Sequence, residues 1–129
     1  MIRKQLSFFL ANKPGTWVRI GKAFKEGGVN ILALTVSDTV DHAVVRLIVD
    51  DPQKALEILE ERGLIVLEGE VLEIHLPNSP GKFLEIAEKC AAAGINIDYV
   101  YGSLPSQESR EGTLYLHVSD LEKAQQVLS

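Results

Sequence analysis

The chain almost lacks cysteine. Cys90 stands alone among 129 residues, which excludes an internal disulfide and fits a reducing, cytoplasmic setting. A basic excess is also missing: 18 acids against 13 bases leave a formal charge of −5. An acidic surface repels nucleic-acid phosphates and anionic lipid headgroups, so neither a nucleic acid nor a membrane is an expected partner. No apolar run approaches the length of a bilayer span. The opening residues MIRKQLSFFLANKPG have a basic start, but no long apolar stretch and no small-residue cleavage site. Their alternation suits a strand better than a signal peptide.

Chemistry-bearing motifs are equally scarce. There is no phosphate-binding loop, nucleophile elbow or glycine-rich dinucleotide turn. The three histidines, His42, His75 and His117, show no metal-ligand spacing. A hydrolase of the acylphosphatase kind needs an arginine in its first loop, where Lys13 and Ser79 stand instead. An RNA-recognition module needs a basic sheet face, which the charge balance opposes. The expectation is therefore a protein without catalytic residues, metal or cofactor, and not an enzyme.

What is present is a repetition. NKPG at 12–15 recurs as NSPG at 78–81, and GVNI at 28–31 recurs as GINI at 94–97, each pair 66 residues apart. The same offset matches Leu6 with Leu72, Phe8 with Ile74, Trp17 with Phe83 and Ile20 with Ile86. Beyond Ser37 and Ser103 the offset becomes 69, pairing Asp51 with Asp120 and Leu59 with Leu128. The three extra residues fall in the polar stretch SLPSQESREGT, 103–113, where an exposed loop lengthens without unpacking a core. Self-similarity at this scale marks a duplicated unit.

The first unit reads as strand, helix, strand, strand, helix, strand. Ile2, Leu6, Phe8 and Leu10 alternate as a half-buried strand does. Asn12 offers a capping side chain and Pro14 suits a first helical turn. Trp17, Ile20 and Phe24 follow at helical spacing until Gly27-Gly28 ends the helix. NILALTVS (30–37) and AVVRLIVD (43–50) are strands joined by the polar turn SDTVDH. Asp51 and Pro52 open a second helix with Ala55, Leu56 and Leu59 inward, and LIVLE (64–68) is a fourth strand. The second copy, with strand 71–76, helix 80–93, strands 95–102 and 113–119 and a helix from 120, stops at Ser129 before any fourth strand. Its sheet edge is expected to be open or covered by another chain. The fold class is α+β: two ferredoxin-like βαββαβ units over 1–69 and 70–129, with antiparallel sheets and helices on one face of each.

The repeated phrases admit a bland and a functional use. Asn12 and Asn78 cap free helix N–H groups in the first reading. In the second, the helix start presents its N–H donors to a carboxylate, with Gly15 and Gly81 leaving the approach clear. Asn30 and Asn96 either tolerate a turn after glycine or present an amide that both donates and accepts. A zwitterionic amino acid needs both functions. Tyr99 and Tyr101 share a strand face and are expected to pack between units. Cys90 falls on an inward stripe with Phe83 and Ile86.

The βαββαβ order, the N-x-P-G loops and the G-[VI]-N-I turns resemble tandem ACT domains over nearly the whole chain. The resemblance implies a regulatory module that binds a small molecule, most often an amino acid, where two ACT units meet. It places ligand contacts at Asn12, Asn78, Asn30 and Asn96; the helix-start argument adds Lys13, Pro14, Gly15, Thr16 and Trp17 and their repeats Ser79, Pro80, Gly81, Lys82 and Phe83, with Ile31 and Ile97 beside the turn asparagines. The small size of each unit favours side-by-side packing and a homodimer, and an amino-acid biosynthetic enzyme is the alternative partner. Serine-binding members carry a histidine two residues before the loop asparagine; Leu10 and Leu76 stand there. Glu108-Ser109-Arg110 matches part of the motif of aromatic-sensing members, but Glu111 follows it.

Overall fold

A computed structural model describes residues 1–77, 79–103 and 111–129. Asn78 and Glu108-Ser109-Arg110 lie outside the described residues. The chain forms two compact units, one of Lys4–Gly69 and one of Met1–Arg3 with Glu70–Ser129.

The elements of the first part of the chain are β1 (Ile2–Ala11), α1 (Thr16–Gly27), β2 (Ile31–Asp38), β3 (His42–Val49) and α2 (Pro52–Glu61). In the Lys4–Gly69 unit β3 pairs antiparallel with both β1 and β2. The register sets Leu6 opposite Leu47 and Phe8 opposite Val45. Alternation then turns Leu6, Phe8, Val45 and Leu47 to one face, where they join Phe24 and Leu59 in the core. Burial is the main stabilising term, at about 25 cal/mol per Å² of apolar surface. The turn between β2 and β3 is closed by the Thr39 N–H donating to the His42 carbonyl at 2.8 Å. Helix α2 begins as its sequence requires: Asp51 accepts from the Lys54 N–H at 3.1 Å and Pro52 sits in the first turn.

The remaining elements are β4 (Leu67–Pro77), α3 (Lys82–Ala92), β5 (Ile97–Ser103), β6 (Glu111–Val118) and α4 (Leu121–Leu128). Here β6 pairs antiparallel with both β4 and β5. Leu72 faces Leu116, which also faces Val100. Asp120 caps α4 as Asp51 caps α2, accepting from the Lys123 N–H at 3.0 Å. Among the described residues no helix is long and apolar enough to cross a membrane.

Several expectations need correction. Residues 64–66 are not a strand; β4 starts at Leu67 and runs without a break to Pro77. The physical reason is the absence of a breaker: Gly69 and Glu70 are accommodated in the extended chain, while Leu64 and Val66 pack against the core from irregular backbone. Among the described residues no strand follows α4, and the place beside β4 is taken by the first residues of the chain. The Glu73 N–H donates to the Met1 carbonyl at 2.7 Å, and Ile2 packs against the core of this unit. The Arg3 Nε donates to Glu73 Oε2 at 2.5 Å, and the Glu73 side chain is only 5% exposed. His75 Nε2 meets the other carboxylate oxygen at 2.9 Å. The Arg3 guanidinium is held above its ordinary pKa by that hydrogen bond first and by the carboxylate's charge second. Residues Met1–Arg3 thus belong structurally to the unit that begins at Glu70.

The inward stripes also differ in detail. Helix α1 buries Ile20, Ala23 and Phe24, leaving Trp17 in its first turn 40% exposed. Helix α3 buries Ile86 and Cys90, leaving Phe83 equally exposed. Burial alone pushes the Cys90 thiol pKa up, as an inert apolar filler requires. In α2, Ile58 is buried and Leu56 only half-buried.

Candidate functional site

Glycine, not asparagine, holds the cap position of both α1 and α3. The cap positions are Gly15 and Gly81, with φ of 87° and 85°, and neither helix has a side-chain cap. A positive φ there costs an L side chain roughly 1 kcal/mol, so glycine is the natural occupant. Pro14 and Pro80 lie in the turn ahead of the helix. Asn12 is directed elsewhere: its Nδ2 donates to Asp38 Oδ1 at 2.8 Å. The Thr16 hydroxyl donates back to the Lys13 carbonyl at 3.0 Å. Lys82 Nζ approaches Glu85 at 3.4 Å.

The turns after α1 and α3 present their asparagines in a similar way. The Asn30 N–H and Nδ2 donate to the two carboxylate oxygens of Asp50 at 2.9 and 3.2 Å. The Asn96 N–H donates to Ser119 Oγ at 2.9 Å, and its Nδ2 to Asp98 Oδ1 at 2.8 Å. Each side chain spends a donor on its own unit, and its amide oxygen is an acceptor. That oxygen suits an ammonium donor better than a carboxylate.

Two hollows in the Lys4–Gly69 unit take some of these residues. One, of about 350 Å³, is lined by Lys13 and Thr16 with Leu10, Arg19, Ile20 and Arg62 among others. Another, of about 410 Å³, is lined by Asn30 and Ile31 with Phe24, Lys25 and Gly28 among others. The loop residues and the turn residues are therefore divided between the two ends of α1. Asn12, Pro14, Gly15 and Trp17 line neither hollow. In the second unit, Ser79, Pro80, Gly81, Lys82 and Phe83 lie at the start of α3, and Asn96 and Ile97 at its far end. Arg19 and Arg62 were not legible as site residues, because only the fold sets α1 beside the end of α2.

The Asn96 turn continues into a polar chain. Asp98 Oδ2 meets His117 Nδ1 at 2.9 Å, and the His117 ring stacks on Tyr99 with centroids 4.8 Å apart. Tyr101 stacks on Tyr115 at 5.5 Å. The two tyrosines thus find stacking partners on the neighbouring strand of their own unit. Asp98 is held below the ordinary carboxylate pKa, first by the Asn96 hydrogen bond and then by that of His117. A lowered folded-state pKa contributes stability that is present above the unfolded value and lost as pH falls through the folded one. Asp98→Asn is expected to flatten the acid limb of the stability curve below about pH 4. Thermal melts of both proteins from neutral pH downward check this; parallel curves would remove the assignment.

Among the described residues no group of three or more His, Cys, Asp or Glu is placed to hold a metal ion.

Two small α+β units, each with a glycine-led first helix and an asparagine turn behind it, define a paired ferredoxin-like module. The ACT domain pair family matches the chain over residues 1–129, and the chain belongs to that family. A crystal structure of a protein from Bacteroides thetaiotaomicron superposes with a TM-score of 0.90 at 30% identity, covering 99% of this chain and 87% of that one. The ligand-free regulatory subunit of aspartate kinase from Thermus thermophilus gives 0.71 at 16% identity, covering 99% and 91%. Aspartate kinase from Synechocystis gives 0.67 at 13% identity, covering 98% of this chain and 24% of that one. The last two share the fold. No curated protein matches the chain in sequence.

Proposed function

We propose that this ACT pair is a non-catalytic regulatory module that binds a free amino acid where ACT units meet. The observation that carries the reading is the pair of glycine caps at Gly15 and Gly81, with no side chain bound to the first turn of either helix. Backbone N–H groups around residues 13–17 and 79–83 then receive the ligand carboxylate, aided by the positive end of the helix. Asn12 and Asn78 flank those loops. The carbonyl oxygens of Asn30 and Asn96 take the ammonium, their Nδ2 groups being held by Asp50 and Asp98. Binding that favours one packing of units over another transmits the signal to a partner.

Homodimerisation is part of the proposal. Strand β2 lies at the edge of its sheet, pairing with β3. It leaves Ile31, Leu32, Leu34 and Val36 between 38% and 48% exposed. An apolar edge strand of this kind is suited to cover by a second copy. The likeness to an aspartate kinase regulatory subunit supports a second reading, in which the chain docks on an amino-acid biosynthetic enzyme and the ligand is secondary.

Calorimetric titration with each of the twenty amino acids tests the first reading. One or a few are expected to bind, and Asn30→Ala or Asn96→Ala to weaken that binding by about tenfold, the scale of one hydrogen bond to a charged group. Silence across the whole panel would leave only the docking reading.

A further inference from the structure

The hollow at the start of α1 has a charge pattern that suits a carboxylate and offers nothing to an ammonium. Its volume of about 350 Å³ is within the range of small-ligand sites. Buried Leu10 and Ile20, with half-buried Leu64, give it an apolar floor. Lys13, Arg19 and Arg62 stand around that floor, and no Asp or Glu is among the lining residues.

In a chain with more acids than bases, three cations sharing one hollow is not what charge balance would produce. Among the described residues none of the three forms an ion pair. Arg62 is steadied by its Nη1 donating to the Ile58 carbonyl at 3.3 Å, and among the described residues its other donors are uncommitted. A guanidinium offers paired N–H groups that match a carboxylate. An ammonium in the same place would face three like charges with no carboxylate to balance them.

We infer that this cavity binds a small organic carboxylate with an apolar body and no ammonium group, the class that includes branched 2-oxo acids. The apolar body rests on Leu10, Ile20 and Leu64, and the carboxylate lies between Arg19 and Arg62. The site is built within the Lys4–Gly69 unit alone; it shares Lys13 and Thr16 with the loop proposed for the amino-acid carboxylate but uses neither Asn30 nor Asn96. A 2-oxo acid and an amino acid differ by one transamination, so a module with both sites would report on the balance between the two.

The test is calorimetric titration of the full chain with 4-methyl-2-oxopentanoate, leucine and inorganic phosphate. The oxo acid is expected to bind at least tenfold more tightly than leucine, although the carbon skeletons are the same. Arg19→Gln and Arg62→Gln are each expected to weaken oxo-acid binding by about tenfold. Lys22→Gln, an exposed cation on the same helix, is expected to leave it unchanged. Circular dichroism confirms that the variants are folded. No oxo-acid binding, equal binding of leucine, or equal binding of phosphate overturns the inference. So do arginine variants that bind like the parent, or a Lys22 variant that weakens binding as much as they do. Asn30→Ala and Asn96→Ala are expected to leave oxo-acid affinity intact, which separates this result from the fate of the amino-acid site.

Discussion

Gly102→Ala is expected to destabilise the protein by about 3 kcal/mol or more, from steric overlap added to backbone strain. Gly102 pairs with Leu114 in the β5–β6 ladder and has a φ of 145°, a region that L residues rarely enter. A Cβ built there would lie 2.1 Å from the Thr113 carbonyl oxygen and 3.0 Å from the Leu114 Cα. Both are backbone atoms of a paired strand, so neither can move without opening the ladder. Gly69→Ala is the matching control in β4, where an added Cβ meets nothing within 4 Å. It is expected to change stability by less than about 1 kcal/mol. Urea denaturation followed by circular dichroism measures both. If the two variants have the same midpoint, the account of Gly102 is wrong.

Leu47→Ala and Leu116→Ala should each cost about 2–5 kcal/mol, the transfer term plus the cavity left behind. The two leucines occupy the same place in the repeat, 69 residues apart, and both are 0% exposed. Leu47 lies between Leu6 and Leu34 across the sheet, and Leu116 between Leu72 and Val100. Close packing lets such a site relax only partly, so most of the lost contact is not recovered. Leu34 provides the contrast: opposite Leu47 in the register, it is 48% exposed. Leu34→Ala is expected to cost less than about 1 kcal/mol, because water already reaches the side chain. The same denaturation series decides the matter, and a Leu34 variant as unstable as the Leu47 variant would refute the burial argument.

The duplicated fold was legible because its evidence is local and occurs twice. Alternation at Leu6, Phe8 and Leu10 needs a strand, and the spacing of Ile20 and Phe24 needs a helix. Asp51 and Asp120 cap their helices as their side chains predict. The capping role expected of Asn12 failed for an equally local reason. An asparagine before a helix is a sound cap candidate, yet Gly15 takes the cap position and Asp38 captures the Asn12 amide. Asp38 is 26 residues away, and only strand pairing brings the two together.

Sequence by itself determined the two units, the type and order of most elements, and the positions of the paired glycine and asparagine phrases. Periodicity reports which side of an element is apolar, and that is enough to choose between helix and strand. It does not report which element the apolar side meets. Tertiary structure alone therefore decided that Ile2 and Arg3 complete the unit beginning at Glu70. It also decided that Tyr99 finds His117, and that Lys13, Arg19 and Arg62 surround one apolar hollow. Each of these contacts joins residues whose closeness arises from packing, which no local pattern encodes.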